Sequence, residues 1–310
     1  MRRILLTGAV AMAAVAGQAN AQQIKIMTGP QGGSWYPLGG AIQSMLSDDG
    51  IGVQVLPGGG VANAQGVQGG QTDLAFGNSI SVVDALEGRA PFEGKADNIC
   101  LMATLYPQYF QMAAPKDSGI ASVDDLKGKR IVTQPVGNTA EQVMRAILTT
   151  AGTSYEDMRS VDYVSYSDGV GLVQDGNADM FSAGTTAPAS AIMDLANSTE
   201  ITMIPLTEEF IGKMRDTINP GYASLTIAAG TYPGQDADVT AVGYMTQLIG
   251  RCDLDDAVVT ALMTNLWESR GDLATISAAM RDITLEKMMD PGGVPLHAAA
   301  KAFYEANAGK

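Results

Sequence analysis

The chain is poor in basic residues. Nineteen lysines and arginines stand against 33 aspartates and glutamates, a formal charge of −14 over 310 residues. Nucleic-acid binding relies on clustered Lys and Arg at phosphates, so this balance argues against nucleic acid as a partner. Histidine is scarcer still, with His297 the only one. One imidazole cannot build a histidine-rich zinc centre, and no cofactor is implied. A serine hydrolase needs a base beside its nucleophile. His297 is the only histidine that could serve, and no Gly-x-Ser-x-Gly elbow is present. The first Gly-rich loop, Gly29 to Gly33, is not followed by Gly-Lys-Ser/Thr and does not fit a dinucleotide fingerprint. There are two cysteines, Cys100 and Cys252. An oxidising compartment would permit a disulfide between them, but two separate buried thiols fit the sequence equally well.

What is present begins at the N-terminus. Arg2 and Arg3 precede an apolar stretch from Ile4 to Ala16, and Ala19-Asn20-Ala21 is a small-x-small cleavage site. These are the three parts of a secretory signal peptide, residues 1–21. The apolar stretch is shorter than the about 20 residues that span a bilayer. The mature protein is therefore expected to be soluble and exported to the periplasm. Its length suits two domains.

The chain echoes itself. Ile24 to Thr28 reads as a strand, followed by a Gly-rich loop, Ser34, and a helical pattern through Ile42, Met45 and Leu46. Lys129 to Thr133, the loop Gln134 to Asn138, Thr139, and a helix through Val143, Met144, Ile147 and Leu148 repeat that order. Gly70-Gln71-Thr72-Asp73-Leu74-Ala75-Phe76 is matched by Gly176-Asn177-Ala178-Asp179-Met180-Phe181. Alternating strands and helices in two copies predict two α/β lobes. Tyr222 to Ala228 reads as a further strand, and helical stretches are expected from about Val239 through Ala279. Asp117–Gly119 and Asn219–Gly221 are the expected crossings between lobes.

Ligands of open α/β sheets bind at the carboxyl ends of strands. The loops there, Gly29–Tyr36, Gly58–Asn63, Gly77–Ser79 and Pro135–Thr139, contain no basic residue. Helix N-termini carry free N–H groups and a partial positive charge, and hold carboxylate or phosphate without Lys or Arg. Ser34 and Thr139 are candidate caps at two such starts. The same glycines also suit plain strand-to-helix turns, and Trp35 and Tyr36 suit packing. The residues alone carry the reading as far as an exported two-lobed α/β protein with polar loops between the lobes.

The sequence further resembles the TAXI family of solute-binding proteins that serve TRAP transporters. The resemblance rests on five stretches in order: Met27 to Gly39, close to a "TGGxGGxYYPLGG" loop; Gly70 to Ala75; Asp117 to Ile120 with Asp125 to Arg130; Thr231 to Asp236; and Pro295-Leu296-His297. It implies a type II periplasmic-binding-protein fold, two α/β lobes with an interlobe cleft. Lobe 1 would comprise residues 22–112 and 222–310, and lobe 2 residues 113–221. It implies a TRAP-type membrane permease as partner and a small organic anion as ligand, foremost a C4–C6 dicarboxylate or an acidic amino acid such as glutamate or 2-oxoglutarate. The implied cleft residues are Ser34, Trp35 and Tyr36; Gly60 and Asn63; Asn78 and Ser79; and, from lobe 2, Gly137, Asn138, Thr139, Thr185 and Thr186. Trp35 stands where the family commonly has Tyr, and Asn78-Ser79-Ile80 replaces a Gln-Ser-Asp-like run.

The expected activity is thus binding by a monomer, not catalysis. Two other readings stand beside it: a ligand-sensing partner of a membrane receptor, and a hydrolase built on His297. The small residues Ala19 and Ala21 place the mature N-terminus at Gln22. N-terminal sequencing of the exported protein is expected to begin there, and retention of Arg2 and Arg3 would contradict it.

Overall fold

The computed structural model describes residues 23–308, so the expected signal peptide lies outside the described residues. The chain opens as an alternating unit: strand β1 (Gln23–Met27), helix α1 (Trp35–Asp48), β2 (Gly52–Leu56), α2 (Gly60–Gln68), β3 (Leu74–Asn78) and α3 (Ser79–Glu87). The long strand β4 (Cys100–Pro115) follows. A second unit repeats the order: β5 (Arg130–Thr133), α4 (Thr139–Thr150), β6 (Ser160–Tyr163), α5 (Tyr166–Gln174), β7 (Met180–Thr185) and α6 (Ser190–Ser198). Then come β8 (Ile201–Met203), α7 (Glu208–Thr217), β9 (Ala223–Ile227) and the second long strand, β10 (Val239–Gly250). Helices α8 (Asp256–Glu268), α9 (Arg270–Ile276), α10 (Leu285–Met289) and α11 (Ala298–Asn307) close the chain. No helix among the described residues is long and apolar enough to cross a membrane.

The echo in the sequence is an echo in topology. In the first unit β1 lies parallel between β2 and β3, and β3 runs antiparallel to β10. In the second β5 lies parallel between β6 and β7, and β7 runs antiparallel to β4. The strand order β2-β1-β3-β10-β4-β7-β5-β6 therefore holds two similar half-sheets joined through β4 and β10. This is the α/β periplasmic-binding-protein fold with two lobes. Burial explains the local patterns: Ile24 and Ile26 alternate inward from β1, whereas the central β3 is buried along its whole length. Leu38, Ile42 and Leu46 recur at four-residue spacing on the buried face of α1.

The long strands β4 and β10 each run through both half-sheets, and the expected boundary between residues 112 and 113 falls within β4. β4 and β10 pair antiparallel from Cys100↔Gly250 to Tyr109↔Gly243, with a register shift between Met245 and Gln247. Beyond that they part. The Ile204 N–H donates to the Met112 carbonyl and the Leu206 N–H to the Thr240 carbonyl, each at 2.9 Å, so residues 204–206 run between the two strands.

Packing links the segment after residue 222 to the second unit. Tyr222, Val242 and Tyr244 pack with Val143, Met144 and Ile211, and Ile227, Tyr232 and Ala241 pack with Phe181 and Ile192. Residues 222–244 thus share the core of the second unit, and the chain returns to the first within β10. The helix expected from Val239 is this strand. Its burial is nearly continuous, so it carries no two-residue alternation to distinguish it from a buried helix.

Cys100 and Cys252 form a disulfide, with Cα atoms 4.9 Å apart, across 152 residues of sequence. The bridge ties the start of β4 to the turn after β10. A loop that long removes substantial entropy from the unfolded chain. Reduction, or a Cys100→Ala/Cys252→Ala variant, is expected to cost about 4 kcal/mol of stability, measured as a fall in the denaturation midpoint. An unchanged midpoint would show that the bridge adds no stability.

Candidate functional site

Four helices begin at one place between the lobes. The start of α1 (Ser34, Trp35), of α2 (Gly60), of α3 (Asn78) and of α4 (Asn138, Thr139, Ala140) line one cavity. None of the four has a side-chain cap. Most other helices of the fold do: Ser165 caps α5, Thr207 α7, Asp255 α8, Thr284 α10 and His297 α11. Caps satisfy the orphan N–H groups of a first turn, so their absence leaves donors directed at the cavity. Among the described residues lining it there is no Lys, Arg, His, Asp or Glu. The charge such a lining can offer an anion is the partial charge of the main-chain dipoles at the helix starts.

The cavity is tight, about 20 Å3, enough for one water molecule. The lobes touch around it. Ala62 N–H donates to the Gly137 carbonyl at 2.8 Å. The Ser81 and Thr139 hydroxyls meet at 2.8 Å, and Ser34 Oγ and Thr185 Oγ1 lie 3.5 Å apart. A polar strut continues outward: Ser81 donates to Gln142 Oε1, and Gln142 Nε2 donates to Asp84 Oδ2 at 3.1 Å. Burial raises the Asp84 carboxyl above the ordinary range, partly offset by Arg89.

Beside the cavity lie residues of the crossing strands. With the Gln108 amide oriented to suit its neighbours, its oxygen accepts from Trp35 Nε1 at 2.6 Å and from Thr246 Oγ1 at 2.7 Å. Its nitrogen donates to the Gly184 carbonyl at 3.0 Å. Tyr106 OH lies 3.3 Å from Ser34 Oγ, and Tyr166 OH donates to the Gly184 carbonyl at 2.9 Å. Burial pushes both phenols up from their ordinary range, so they act as neutral hydroxyls.

The expected site residues divide into two sets. Ser34, Trp35, Gly60, Asn78, Asn138, Thr139 and Thr185 line the cavity. Asn78 is 3% exposed and its Oδ1 has no hydrogen-bond partner. The others are placed elsewhere. Tyr36 is 41% exposed and does not line the cavity. Asn63 is buried beneath the floor, where its Nδ2 donates to the Thr28 and Phe76 carbonyls and its Oδ1 accepts from Gly59 N–H. Ser79 Oγ accepts from Met245 N–H. Gly137 holds a positive φ of 97° and supplies its carbonyl to Ala62. Thr186 lines an adjoining chamber. Sequence reasoning did not find Tyr106, Gln108, Tyr166 or Gly184. The available signal was Tyr106-Pro107-Gln108-Tyr109, a polar and aromatic interruption inside an apolar strand.

His297 is 2% exposed and engaged through both nitrogens. Nδ1 accepts from Ala299 N–H at 3.2 Å, and Nε2 lies 3.1 Å from the Leu254 carbonyl. The base required by the hydrolase reading is committed to capping α11.

The fold is that of the periplasmic-binding-protein class, with the cavity between its two half-sheets. A sequence profile of the NMT1-like family matches residues 26–307, and the chain belongs to that family. Two solved structures agree on the fold, and a third stands beside them for its similarity alone. A protein from Bordetella bronchiseptica RB50 is similar at 18% identity and a TM-score of 0.54, over 92% of this chain and 89% of that one. An ancestral arginine-binding protein bound to arginine is similar at 12% identity and a TM-score of 0.50, over 84% and 96%. The alkanesulfonate-binding protein SsuA from Xanthomonas axonopodis pv. citri, bound to MOPS, is similar at 15% identity and a TM-score of 0.47, over 91% and 83%.

The contact between lobes depends on Gly60. A Cβ there would collide with Thr139 Oγ1 and lie 2.8 Å from Asn78 Nδ2. Gly60→Ala is therefore expected to hold the lobes apart and enlarge the radius of gyration by small-angle scattering. An unchanged radius would mean that the loops accommodate the methyl group in the closed arrangement.

Proposed function

We propose that the protein is an extracytoplasmic solute-binding protein that captures a small organic anion between its lobes and delivers it to a membrane permease. The observation that carries this reading is the convergence of four uncapped helix N-termini on one cavity without a basic side chain. Such a site favours an oxyanion, because N–H groups and dipoles supply the attraction. The disulfide supports export, since such bonds persist in oxidising compartments.

A cavity the size of one water cannot admit an organic acid with the lobes in contact. Ligand must enter with the lobes apart, and closure then adds contacts from the second lobe. That difference in affinity drives the population toward the closed form. Micromolar capture needs about −8 kcal/mol, within reach of a few charge-assisted hydrogen bonds. The resemblance to the TAXI family supports a TRAP-type permease and a C4–C6 dicarboxylate or acidic amino acid as ligand.

The test is a thermal-shift screen against small acids, amino acids, sugars and cations. A ligand of the folded state raises the melting temperature with concentration. The best acid is then titrated by calorimetry into wild type, Asn138→Ala, Thr139→Val and Tyr36→Phe. The first two are expected to lose about ten- to a hundred-fold in affinity, whereas exposed Tyr36→Phe should bind like wild type. A screen that returns only neutral sugars or cations would refute the anion site.

A further inference from the structure

The polar strut beside the cavity ends on a carboxylate. Asp84 lies on α3 of the first unit and is 4% exposed. Its Oδ1 pairs with Arg89 Nε at 3.1 Å, on its own side, and accepts from Asn219 Nδ2 at 2.9 Å. Its Oδ2 accepts from Gln142 Nε2 at 3.1 Å. Gln142 stands on α4 and Asn219 follows α7, and both helices pack in the core of the second unit. Two amides of one unit thus grip a carboxylate of the other. Gln142 also accepts the Ser81 hydroxyl at its Oε1, 3.0 Å away, so one side chain spans a turn of α3. A hydroxyl has one proton to give, so with Ser81 donating to Gln142, Thr139 is the donor to Ser81. The donors run in one direction, from Thr139 at the cavity through Ser81 and Gln142 to Asp84. Neither Asp84 nor Gln142 lines the cavity itself. Ile80, on the same helix, packs in the core of the second unit. That apolar contact adds attraction without direction. The amide–carboxylate bond holds over a narrow range of distance and angle, and a charged acceptor strengthens it.

We propose that Asp84 and Gln142 are positioning residues for capture: they latch the lobes shut from outside the cavity and so set the affinity for what lies within. This rests on the closure of the lobes about a ligand proposed above. Contacts made only in the closed form favour that form whichever ligand is present. Selection among ligands is left to the cavity lining, and the strength of the grip is set from α3 and α4.

The experiment needs no ligand. Ala62 lies in the first turn of α2, where an N–H has no partner in its own helix, and it donates across the lobes to the Gly137 carbonyl at 2.8 Å. Its amide hydrogen exchange therefore reads the opening of the lobes. The Asn63 N–H donates to the Gly59 carbonyl at 2.8 Å, at the start of the same helix, and serves as the reference. Gln142→Met keeps the length of the side chain and removes its polar atoms. It is expected to speed Ala62 exchange about ten-fold or more and to leave Asn63 unchanged. Gln142→Glu sets a second carboxylate against Asp84 and is expected to speed Ala62 exchange at least as much. Asp84→Asn, added to Gln142→Glu, restores the pair with its ends exchanged: the amide now donates from the first lobe, and its oxygen still accepts from Asn219. The double variant is expected to recover most of the protection, which damage to either helix alone would not do. Faster exchange of Ala62 and Asn63 together would mean that α2 melts, and overturns the latch. So does wild-type exchange at Ala62 in both single variants, or a double variant no slower than Gln142→Glu. A wild-type Ala62 amide that exchanges as fast as one in an unfolded chain overturns it as well. These outcomes leave anion capture standing, and a screen that returns no anion leaves the latch standing.

Discussion

A cavity lined by no Lys, Arg, His, Asp or Glu side chain can offer an anion only hydroxyl, amide and main-chain donors, and the proposed capture of an anion rests on that constraint. A peptide dipole is useful only where it is aimed, and its effect fades within the first turn of the helix. Four helix starts must therefore be brought to one point and held there. The parallel strands do this: α1, α2 and α3 each follow a strand of one half-sheet, α4 follows a strand of the other, and the strand ends set where each helix begins. Glycine at the start of α2 lets its first turn press against Thr139 and Asn138. Asn63, fully buried below, holds the same loop to the Thr28 and Phe76 carbonyls.

The lobes are not independent bodies linked by loops. β4 and β10 belong to both, and Gln108 and Thr246 lie within them beside the cavity. Gln108 also touches Trp35 of the first lobe and Gly184 of the second. Its amide therefore registers the relative position of the two halves at the place where ligand is expected.

Much of this architecture is legible in the sequence. The paired motifs at Asp73 and Asp179 are topologically equivalent: each carboxylate accepts the main-chain N–H of the neighbouring strand, at Lys25 and at Arg130. A hydrogen bond fixed by strand register constrains the local sequence and leaves a repeat that can be read. The helix starts near Ser34 and Thr139 were legible from the apolar spacing that follows them, but the caps were not: Asn138, not Thr139, holds the cap position of α4, and neither it nor Ser34 makes a side-chain cap bond. The sharing of β4 and β10 between the half-sheets was not legible, because both are apolar strands whose near-continuous burial hides their period. Asn63 and Tyr36 show a second limit. Both sit in the first turns of the right helices, but whether a side chain faces the cavity or the core depends on its angle around the helix start, which sequence spacing does not settle. Tyr106 and Gln108 lie in the middle of a crossing strand, far in sequence from any Gly-rich loop.

The disulfide gives the crossing strands a mechanical asymmetry. At one end Cys100 and Cys252 weld the pair together beside the Cys100↔Gly250 pairing. At the other, Ile204 to Leu206 hold the strands apart like a wedge in a split beam. A ladder pinned covalently at its root cannot slip in register from that side, and a wedge at the tip prevents it from zipping further. The stretch between, where Pro107 faces Met245 beside the shifted register, is held by neither, so a closure of the lobes as proposed above would turn there.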